Sequence, residues 1–288
     1  MSTEFNRDLA AVQSAADQKI AAGWLARWLD PTGAGRKVVF PILYRLLSFD
    51  RVDALYQACH PNHGIAFARR ALELLKIRLE VPSSDVPLIP QTGACAIVAN
   101  HPHGFLDGLL LMDLIARYRE EFHLAVNYFL DDLAPLRDYF ICVNSFSDHR
   151  IPRFATPAIR RILASLAAGN VVCFFPAADV SFFQLPELCV ADPPWSPACL
   201  RLIISANVPI IPVFIDGRNS IFFQIARAVH PTLGLARLAP ELFLKTSQSV
   251  HMRVGKPIQP EAIDPDPRAA AVLVRTAVYN LGCKGVSL

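Results

Sequence analysis

The stretch GACAIVANHPHGFLDG, residues 93–108, changes character within a few positions. Its first part, 94–99, is a short apolar run between Gly93 and a polar turn, which predicts a buried strand. Its second part, 100–108, is the densest polar cluster in an otherwise apolar region, and a helical pattern continues over 107–120. The cluster therefore lies at the carboxyl end of a strand, which is where α/β proteins place their active sites.

Apolar runs of the same kind recur on both sides of helical patterns along the rest of the chain. Because strands that alternate with helices form parallel sheets through crossover connections, the alternation predicts an α/β fold with a mixed, largely parallel central sheet covered by helices. The runs of strand type lie at 123–128, 139–143, 170–175, 209–215 and 250–254, and the other helical stretches lie at 156–168, 197–206, 221–229 and 268–281.

The first ninety residues have a different pattern, and we predict an N-terminal helical segment at 1–90 followed by an α/β domain at 91–288. Trp24 and Trp28 share one face of an amphipathic helix that carries basic residues, a combination typical of helices that bind a membrane surface. The alternative is that these tryptophans pack onto the α/β domain. The apolar or helical segments of this region lie at 10–29, 38–47 and 65–79.

The composition excludes several classes of protein. The chain has 288 residues, of which 53% are hydrophobic and 18% are charged, so it can fill a large core and is not a disordered chain. A mean hydropathy of +0.32 favours contact between surplus apolar surface and lipid. A net charge of +3 is too small to indicate a nucleic-acid partner.

Sequence features also predict where the protein works. Residues 1–30 carry acids and lack the apolar centre of a signal peptide, and no run approaches the roughly 18 uncharged apolar residues of a transmembrane helix. The seven cysteines are scattered without a CxxC pair, which is typical of reduced thiols in the cytosol. We therefore expect a cytoplasmic protein that binds the inner face of the cell membrane peripherally.

The cluster at 100–108 carries the residue types of general base catalysis. A histidine held by a neighbouring carboxylate can remove the proton of a hydroxyl while that oxygen attacks a carbonyl, and the carboxylate fixes the tautomer of the imidazole. The alternative is a structural pair of histidine and aspartate beside a turn.

Two other functions fit the same residues. His101, His103 and Asp107 are ligand types for zinc in a metallohydrolase, but their spacing differs from the pattern His-x-His-x-Asp-His, and no downstream cluster supplies further ligands. A non-catalytic lipid-binding protein would keep an apolar groove without turnover. A serine hydrolase is not indicated, because no Gly-x-Ser-x-Gly motif occurs.

Four ordered blocks between about residues 67 and 258 resemble the glycerolipid acyltransferase superfamily, and most closely its bacterial branch of hemolysin-like or ornithine-lipid O-acyltransferases. The branch patterns are His-Pro-x-Gly-x-x-Asp-Gly, Phe-Pro-Ala-Gly-Glu-Val-Ser, Asp-x-Pro-Trp and Pro-Val-x-Pro-Val-x-x-x-Gly-Arg-Asn-Ser. The matching blocks here are His101 to Gly108, Phe175 to Ser181, Asp192 to Trp195 and Pro209 to Ser220.

The resemblance implies an O-acyltransferase of membrane lipid biosynthesis and phospholipid metabolism. Such an enzyme moves a fatty acyl group from acyl carrier protein or acyl-CoA to the hydroxyl of a lysolipid, with no covalent enzyme intermediate, resident cofactor or metal. His101 would be the base and Asp107 its orienting carboxylate. The implied substrate-binding residues are Asn100, His103, Gly104, Pro176, Asp179, Ser181, Arg218 and Asn219.

The catalytic block departs from the wider superfamily in its spacing. His101 and Asp107 enclose five residues, whereas the superfamily pattern encloses four. Either a small bulge at Pro102 restores the geometry, or His103 is the base. We favour His101, because it follows an asparagine and ends the predicted strand.

Three further positions bear on substrate binding. Val180 stands where the common members carry an arginine that is thought to hold the phosphate of the acceptor, so we expect an acceptor without a terminal phosphomonoester, such as a lyso-ornithine lipid or a related aminolipid. Ala178 replaces a glycine of the branch, which predicts a stiffer or narrower loop. Arg218 is suited to bind a carboxylate, phosphate or phosphopantetheine, the alternative being a buried ion pair with Asp179 or Asp216.

Overall fold

The computed structural model of the protein describes residues 20–21, 36–143 and 157–283. The predicted helix at 10–29 lies outside these residues apart from Ile20 and Ala21, which are helical. The strands are β1 (Arg78–Glu80), β2 (Cys95–Ala99), β3 (Phe122–Asn127), β4 (Phe140–Val143), β5 (Val171–Phe174), β6 (Phe182–Gln184), β7 (Cys189–Ala191), β8 (Ile210–Ile215) and β9 (Ser249–Val254).

Seven of these strands form one sheet in the order β1-β9-β8-β2-β5-β3-β4. Neighbours run parallel except β8 and β9, which are antiparallel. Strands β6 and β7 form a separate antiparallel hairpin. The predicted α/β fold with a mixed, largely parallel sheet is confirmed.

Helices cover both faces of the sheet. The described helices are α1 (Arg36–Leu46), α2 (Phe49–Cys59), α3 (Ile65–Leu74), α4 (Phe105–Ile115), α5 (Pro157–Ala167), α6 (Pro197–Ala206), α7 (Ile221–Val229), α8 (Pro231–Leu244) and α9 (Pro267–Cys283), with short 3-10 turns at Val86–Leu88, Tyr128–Asp132, Ala134–Leu136 and Pro260–Ala262.

The central strand β2 divides the core into two layers. All five of its residues are buried, and successive side chains point to opposite faces, so Ile97 packs in one layer and Val98 in the other. Helices α2, α3, α4 and α8 cover the first layer, whereas α5, α6 and α9 cover the second. Burial on both faces explains why β2 is a continuous apolar run rather than an alternating one.

The sheet topology brings the sequence blocks to one edge. Strand β2 is parallel to both of its neighbours, β5 and β8, so the carboxyl ends of the three strands lie side by side. The loops that follow them carry three of the four blocks, at 100–108, 175–181 and 216–220. This edge is therefore the expected position of the active site.

Several local predictions were wrong. The helix predicted at 65–79 ends at Leu74, because Lys76 has a positive φ of 53° and the chain then enters β1 beside β9. Helix α8 was not predicted, because its two prolines suggest a break in the helix. Pro231 lies in the first turn, where a proline costs no hydrogen bond, and Pro240 is buried within the helix. The division into 1–90 and 91–288 stays a prediction.

Within the described residues, no helix combines the length and the apolar character needed to cross a membrane.

Candidate active site

Asn100 joins two of the strand ends that form the site. Its side-chain amide donates to the carbonyl oxygen of Ile215 at 2.8 Å, and its carbonyl oxygen accepts from the backbone N–H of Ile215 at 2.7 Å. Asn100 is buried. These two hydrogen bonds tie the carboxyl end of β2 to that of β8, so Asn100 positions the loop that carries the histidines.

Asp107 organises this loop from the first turn of α4. Its Oδ2 accepts hydrogen bonds from the backbone N–H groups of His103, at 2.8 Å, and Gly104, at 3.0 Å. Gly104 precedes the helix with a φ of +84°, which glycine adopts without strain. The carboxylate is fully buried and therefore has a fixed position at the amino end of α4.

His101 lies against this carboxylate. Its Nδ1 is 2.9 Å from Oδ2 of Asp107, at an angle that departs from a straight hydrogen bond. The imidazole stacks on Phe175 with the ring centroids 4.2 Å apart, and about a fifth of the side chain, 19%, is exposed. The ring is therefore held from two sides, and its Nε2 is the nitrogen left for a substrate.

His103 faces a different environment. Its Nε2 lies 2.9 Å from the carbonyl oxygen of Asp216, and because a carbonyl only accepts, this nitrogen carries the proton. Gly217 packs against the ring so closely that a Cβ there would lie 2.3 Å from Cε1 of His103, and its φ of +124° also favours glycine. Burial lowers the pKa of His103, which is therefore held neutral between the ends of β2 and β8.

The lowered pKa of His103 predicts a loss of stability in acid. Below its ordinary pKa of about 6.5, histidine in the unfolded chain binds a proton that the folded protein resists, so the free energy of unfolding decreases as the pH falls. His103→Gln keeps an N–H donor for Asp216 but does not titrate. We expect urea unfolding between about pH 7 and about pH 5 to show a shallower decline for this variant than for the unsubstituted chain.

The unsubstituted chain and the variant differ only at position 103, so the difference between their declines in unfolding free energy measures the contribution of His103. His123, whose pKa is also lowered by burial, is present in both proteins and contributes equally to the two slopes. Equal declines in the two proteins would contradict the assignment of His103 as a buried neutral group.

Asp192 also holds the loop that carries His101. Its Oδ1 accepts from the backbone N–H of His101, at 3.1 Å, and from the hydroxyl of Ser181, while Oδ2 accepts from the indole N–H of Trp195 at 2.9 Å. The hydroxyl of Tyr279 accepts from the backbone N–H of Asp192. Burial raises the pKa of Asp192 against these hydrogen bonds. The block Asp192 to Trp195 thus supports His101, a part that the sequence analysis did not assign.

Ser181 and Pro176 belong to the same support. Ser181 is buried, its hydroxyl is engaged by Asp192, and its backbone N–H donates to the carbonyl oxygen of His101 at 2.9 Å. The carbonyl oxygen of buried Pro176 accepts from the backbone N–H of Ser196. Ser181 thus holds the second block against the first, and Pro176 joins it to the start of α6 at Ser196. The assignment of both residues as substrate contacts stays a prediction.

An apolar cavity of about 260 Å³ opens beside His101. His101 and Gly104 form one wall, and Val180 lines the cavity while being almost fully buried. Its volume and mostly apolar lining suit an alkyl chain whose reacting end lies at the imidazole. The remaining lining residues are Phe105, Gly108, Ala125, Val126, Asn127, Leu130, Phe140, Val143, Phe175, Ala178, Asp179, Leu235 and Leu238.

The loop of Ala178 and Asp179 forms the rim of this cavity. Ala178 has a positive φ of 54°, the left-handed conformation that glycine adopts more readily, which fits the expected stiffer loop. The carboxylate of Asp179 binds Arg227 of α7 with Oδ2 and Nη2 2.5 Å apart. The rim is therefore joined to α7, and Asp179 does not pair with Arg218.

Arg218 and Asn219 line a neighbouring open groove of about 1010 Å³ rather than the cavity of His101. The side chain of Arg218 is exposed, so the alternative of a buried ion pair was wrong. Asn219 is buried, and its Oδ1 accepts from Nζ of Lys245 at 2.6 Å. Glu241 accepts from the backbone N–H and the hydroxyl of Ser220. Buried Glu241 and Lys245 were not predicted as parts of the site, because helix α8, which contains Glu241 and ends just before Lys245, was not predicted.

A second apolar cavity, of about 120 Å³, lies between α2, α3, α4 and α8. His103, Phe105, Leu235 and Leu238 line it, and the last three also line the cavity of His101. The two cavities thus share a wall. Among residues 20–21, 36–143 and 157–283, no three His, Cys, Asp or Glu side chains converge as a metal-binding set.

Comparisons with known proteins show which family the chain belongs to. A family model described as Acyltransferase matches residues 14–281. The lyso-glycine lipid O-acyltransferase of Phocaeicola vulgatus is 25% identical over 265 residues, covering 87% of this chain and 92% of the relative. The protein of the same name from Bacteroides thetaiotaomicron is 26% identical over 254 residues, covering 85% and 90%.

A solved structure with the same fold is the 1-acyl-sn-glycerophosphate (LPA) acyltransferase from Thermotoga maritima. It aligns with a TM-score of 0.50 and 17% identity, covering 94% of this chain and 96% of the other. At this identity the likeness concerns the fold.

Proposed function

Since the chain belongs to this acyltransferase family and is an acyltransferase, we propose that it is a lysolipid O-acyltransferase of membrane lipid biosynthesis. The observation that carries the proposal is the placement of His101, backed by buried Asp107, at the wall of the apolar cavity. The family membership also favours acyl transfer over a zinc metallohydrolase, the alternative that the cluster of His101, His103 and Asp107 left open.

The proposed reaction uses His101 as a general base. Nε2 of His101 accepts the proton of the acceptor hydroxyl while that oxygen attacks the carbonyl carbon of the acyl thioester. Asp107 stabilises the imidazolium that forms. The tetrahedral intermediate then expels the thiolate, which takes the proton back from His101 and leaves as a thiol. The acyl group ends as an ester, and no bond to the enzyme forms.

The acyl donor in this proposal is acyl carrier protein or acyl-CoA, which acts as a substrate, and the enzyme has no resident cofactor. The acceptor is a membrane lipid, so the enzyme works as a peripheral protein on the cytoplasmic face of the cell membrane. The apolar lining beside His101 supports an acyl chain of the donor or the acceptor as its occupant.

We propose a lyso-aminolipid as the acceptor. Two relatives carry the name lyso-glycine lipid O-acyltransferase, and a lyso-ornithine lipid, like a lyso-glycine lipid, is a lysolipid that contains an amino acid. Val180 presents an apolar side chain to the cavity at the position where phosphate-binding members have an arginine. Exposed Arg218 in the neighbouring groove is suited to a headgroup carboxylate.

The proposal predicts a preference among acceptors. The purified full-length chain, supplied with palmitoyl-CoA or palmitoyl carrier protein, should acylate lyso-glycine lipid or lyso-ornithine lipid with kcat/KM at least about tenfold above that for lysophosphatidic acid, because no arginine at position 180 meets the phosphate. Mass spectrometry of the diacyl product gives the rates. A higher kcat/KM for lysophosphatidic acid would contradict the acceptor class.

The same assay separates enzyme from binding protein. A folded chain that binds these lysolipids but acylates none of them with either donor would favour the non-catalytic lipid-binding alternative.

A further inference from the structure

Helix α7 turns an apolar stripe toward solvent. Ile221, Phe222, Ile225 and Val229 share one side of the helix, and between 56% and 70% of each residue is exposed. The opposite side buries Phe223. A helix on the surface of a globular protein normally exposes its polar side, so an outward apolar stripe marks a surface that another apolar medium covers.

The hairpin of β6 and β7 extends this stripe. Leu185 and Leu188 at its turn are each about three-quarters exposed, at 77% and 75%. The hairpin is fixed to α7, because the backbone N–H of Phe183 donates to Oε1 of Gln224 at 2.9 Å. We call Phe183, Leu185, Leu188, Ile221, Phe222, Ile225 and Val229 together the apolar face.

The charged residues around the apolar face are arginines that are partly paired with acids. Residues 217–240 contain Arg218, Arg227 and Arg237 but no aspartate or glutamate. Three neighbouring acids are paired with arginines: Asp179 with Arg227, Glu187 of the hairpin turn with Arg275, and Glu241 of α8 with Arg237. Arg218 is exposed and has no ion-pair partner among the described residues. An apolar surface with an exposed arginine at its border is complementary to the acyl region and the headgroups of an anionic bilayer.

The cavity of His101 is connected to the surface near the apolar face through helix α8 and the loop of Asp179. Leu235 of α8 is 45% exposed and also lines the cavity of His101. Asp179 lies at the rim of the same cavity and is bound to Arg227 of α7. A lipid that leaves a bilayer in contact with the apolar face therefore passes Leu235 and the ion pair of Asp179 and Arg227 to reach the cavity of His101.

We propose that the apolar face docks the enzyme on an anionic lipid bilayer and presents the cavity of His101 to the membrane. This inference rests on the proposed lysolipid acceptor. It assigns membrane contact to α7 and the hairpin of β6 and β7, which belong to the α/β part of the fold, independently of the tryptophans predicted to bind membranes near the amino terminus.

The test uses the full-length chain and its Phe222→Ser/Val229→Ser variant. Both side chains are mostly exposed, so the replacement removes apolar area from the surface and leaves the core unchanged. The control is Val272→Ser on α9, a residue that is equally exposed, at 68%, and does not belong to the apolar face. Sedimentation with vesicles of equal parts phosphatidylglycerol and phosphatidylcholine measures binding.

The double variant should bind these vesicles at least about tenfold more weakly, whereas Val272→Ser should bind like the unsubstituted chain. Raising the salt concentration should weaken binding of the unsubstituted chain, because the arginines contribute through screened charge interactions. Activity on a short-chain, water-soluble acceptor should be unchanged in the double variant, and activity on vesicle-borne acceptor should fall with binding.

Two outcomes would overturn the proposal. One is vesicle binding by the double variant that equals that of the control. The other is a dimer of the unsubstituted chain, in analytical ultracentrifugation, that the double variant converts to a monomer without a change in vesicle binding, which would assign the face to a second copy. If no acceptor is acylated yet vesicle binding depends on the face, the docking proposal stands and the proposed function fails.

Discussion

Replacing His101 by alanine is expected to lower kcat/KM for acyl transfer by about three orders of magnitude, since a positioned general base contributes roughly 100- to 10,000-fold. His101 lines the apolar cavity of about 260 Å³, and its Nδ1 lies 2.9 Å from Oδ2 of buried Asp107. The loss should appear in kcat as well as in kcat/KM, because the proton is transferred in the transition state. Initial rates of product formation by mass spectrometry measure the effect.

His103→Gln is the matched control for this prediction. The ring of His103 donates to the carbonyl oxygen of Asp216, and a glutamine can keep that donor. We expect a loss of activity of less than about tenfold, because the side chain acts only through the position of the loop. If His103→Gln abolishes turnover and His101→Ala retains it, the base has been assigned to the wrong histidine.

Replacing Asp107 by asparagine is expected to lower kcat/KM by about 100-fold or more and to destabilise the fold by about 1–2 kcal/mol. The carboxylate faces His101 and accepts from the backbone N–H groups of His103 and Gly104 through one oxygen. A neutral amide cannot stabilise the imidazolium, and its hydrogen bonds to the backbone are weaker than those of a charged acceptor. Kinetics and urea unfolding at neutral pH measure the two losses.

Asp113→Asn separates the two effects of that change. Asp113 is a second buried acid of α4, and its carboxylate binds Arg69 at 3.0 Å and Arg117 at 2.5 Å, away from the cavity of His101. This variant should lose stability while kcat/KM changes by less than about threefold. A loss of activity in Asp113→Asn equal to that in Asp107→Asn would mean that both variants act by disturbing α4.

The elements whose bounds were predicted correctly include a strand that is buried on both faces and two helices with regular apolar spacing. Strand β2 is buried on both faces and begins one residue later than its predicted range of 94–99. Helices α6 and α7 have the predicted bounds 197–206 and 221–229. Continuous apolar runs and regular periodicity are local signals, so they are visible in a single sequence. Helix α8 was missed because its signals for termination, Pro231 and Pro240, are tolerated in their tertiary context.

The features of the candidate site also divide into those that were visible in the sequence and those that depend on distant residues. The cluster around His101 and Asp107 was visible because it interrupts an apolar region, whereas the blocks of Asp179 and Arg218 were identified by their resemblance to the acyltransferase superfamily. The sequence favoured His101 over His103 as the base, but the hydrogen bond of His103 to the carbonyl oxygen of Asp216 was not visible, since Asp216 is distant in the sequence. The parts of Asp192, Glu241 and Lys245 are equally nonlocal, because each is defined by hydrogen bonds to another loop.

The sequence by itself determined the α/β alternation, the polar cluster at the end of β2 and the chemistry that a histidine and an aspartate can perform there. The tertiary structure alone decided which histidine lines the cavity, which residues support it, and that Arg218 lies in a separate groove. It also placed the apolar stripe of α7 on the surface. The physical reason is that periodicity reports that one face of an element is apolar, whereas only the packing of distant elements decides whether that face meets the core, a cavity or the surroundings.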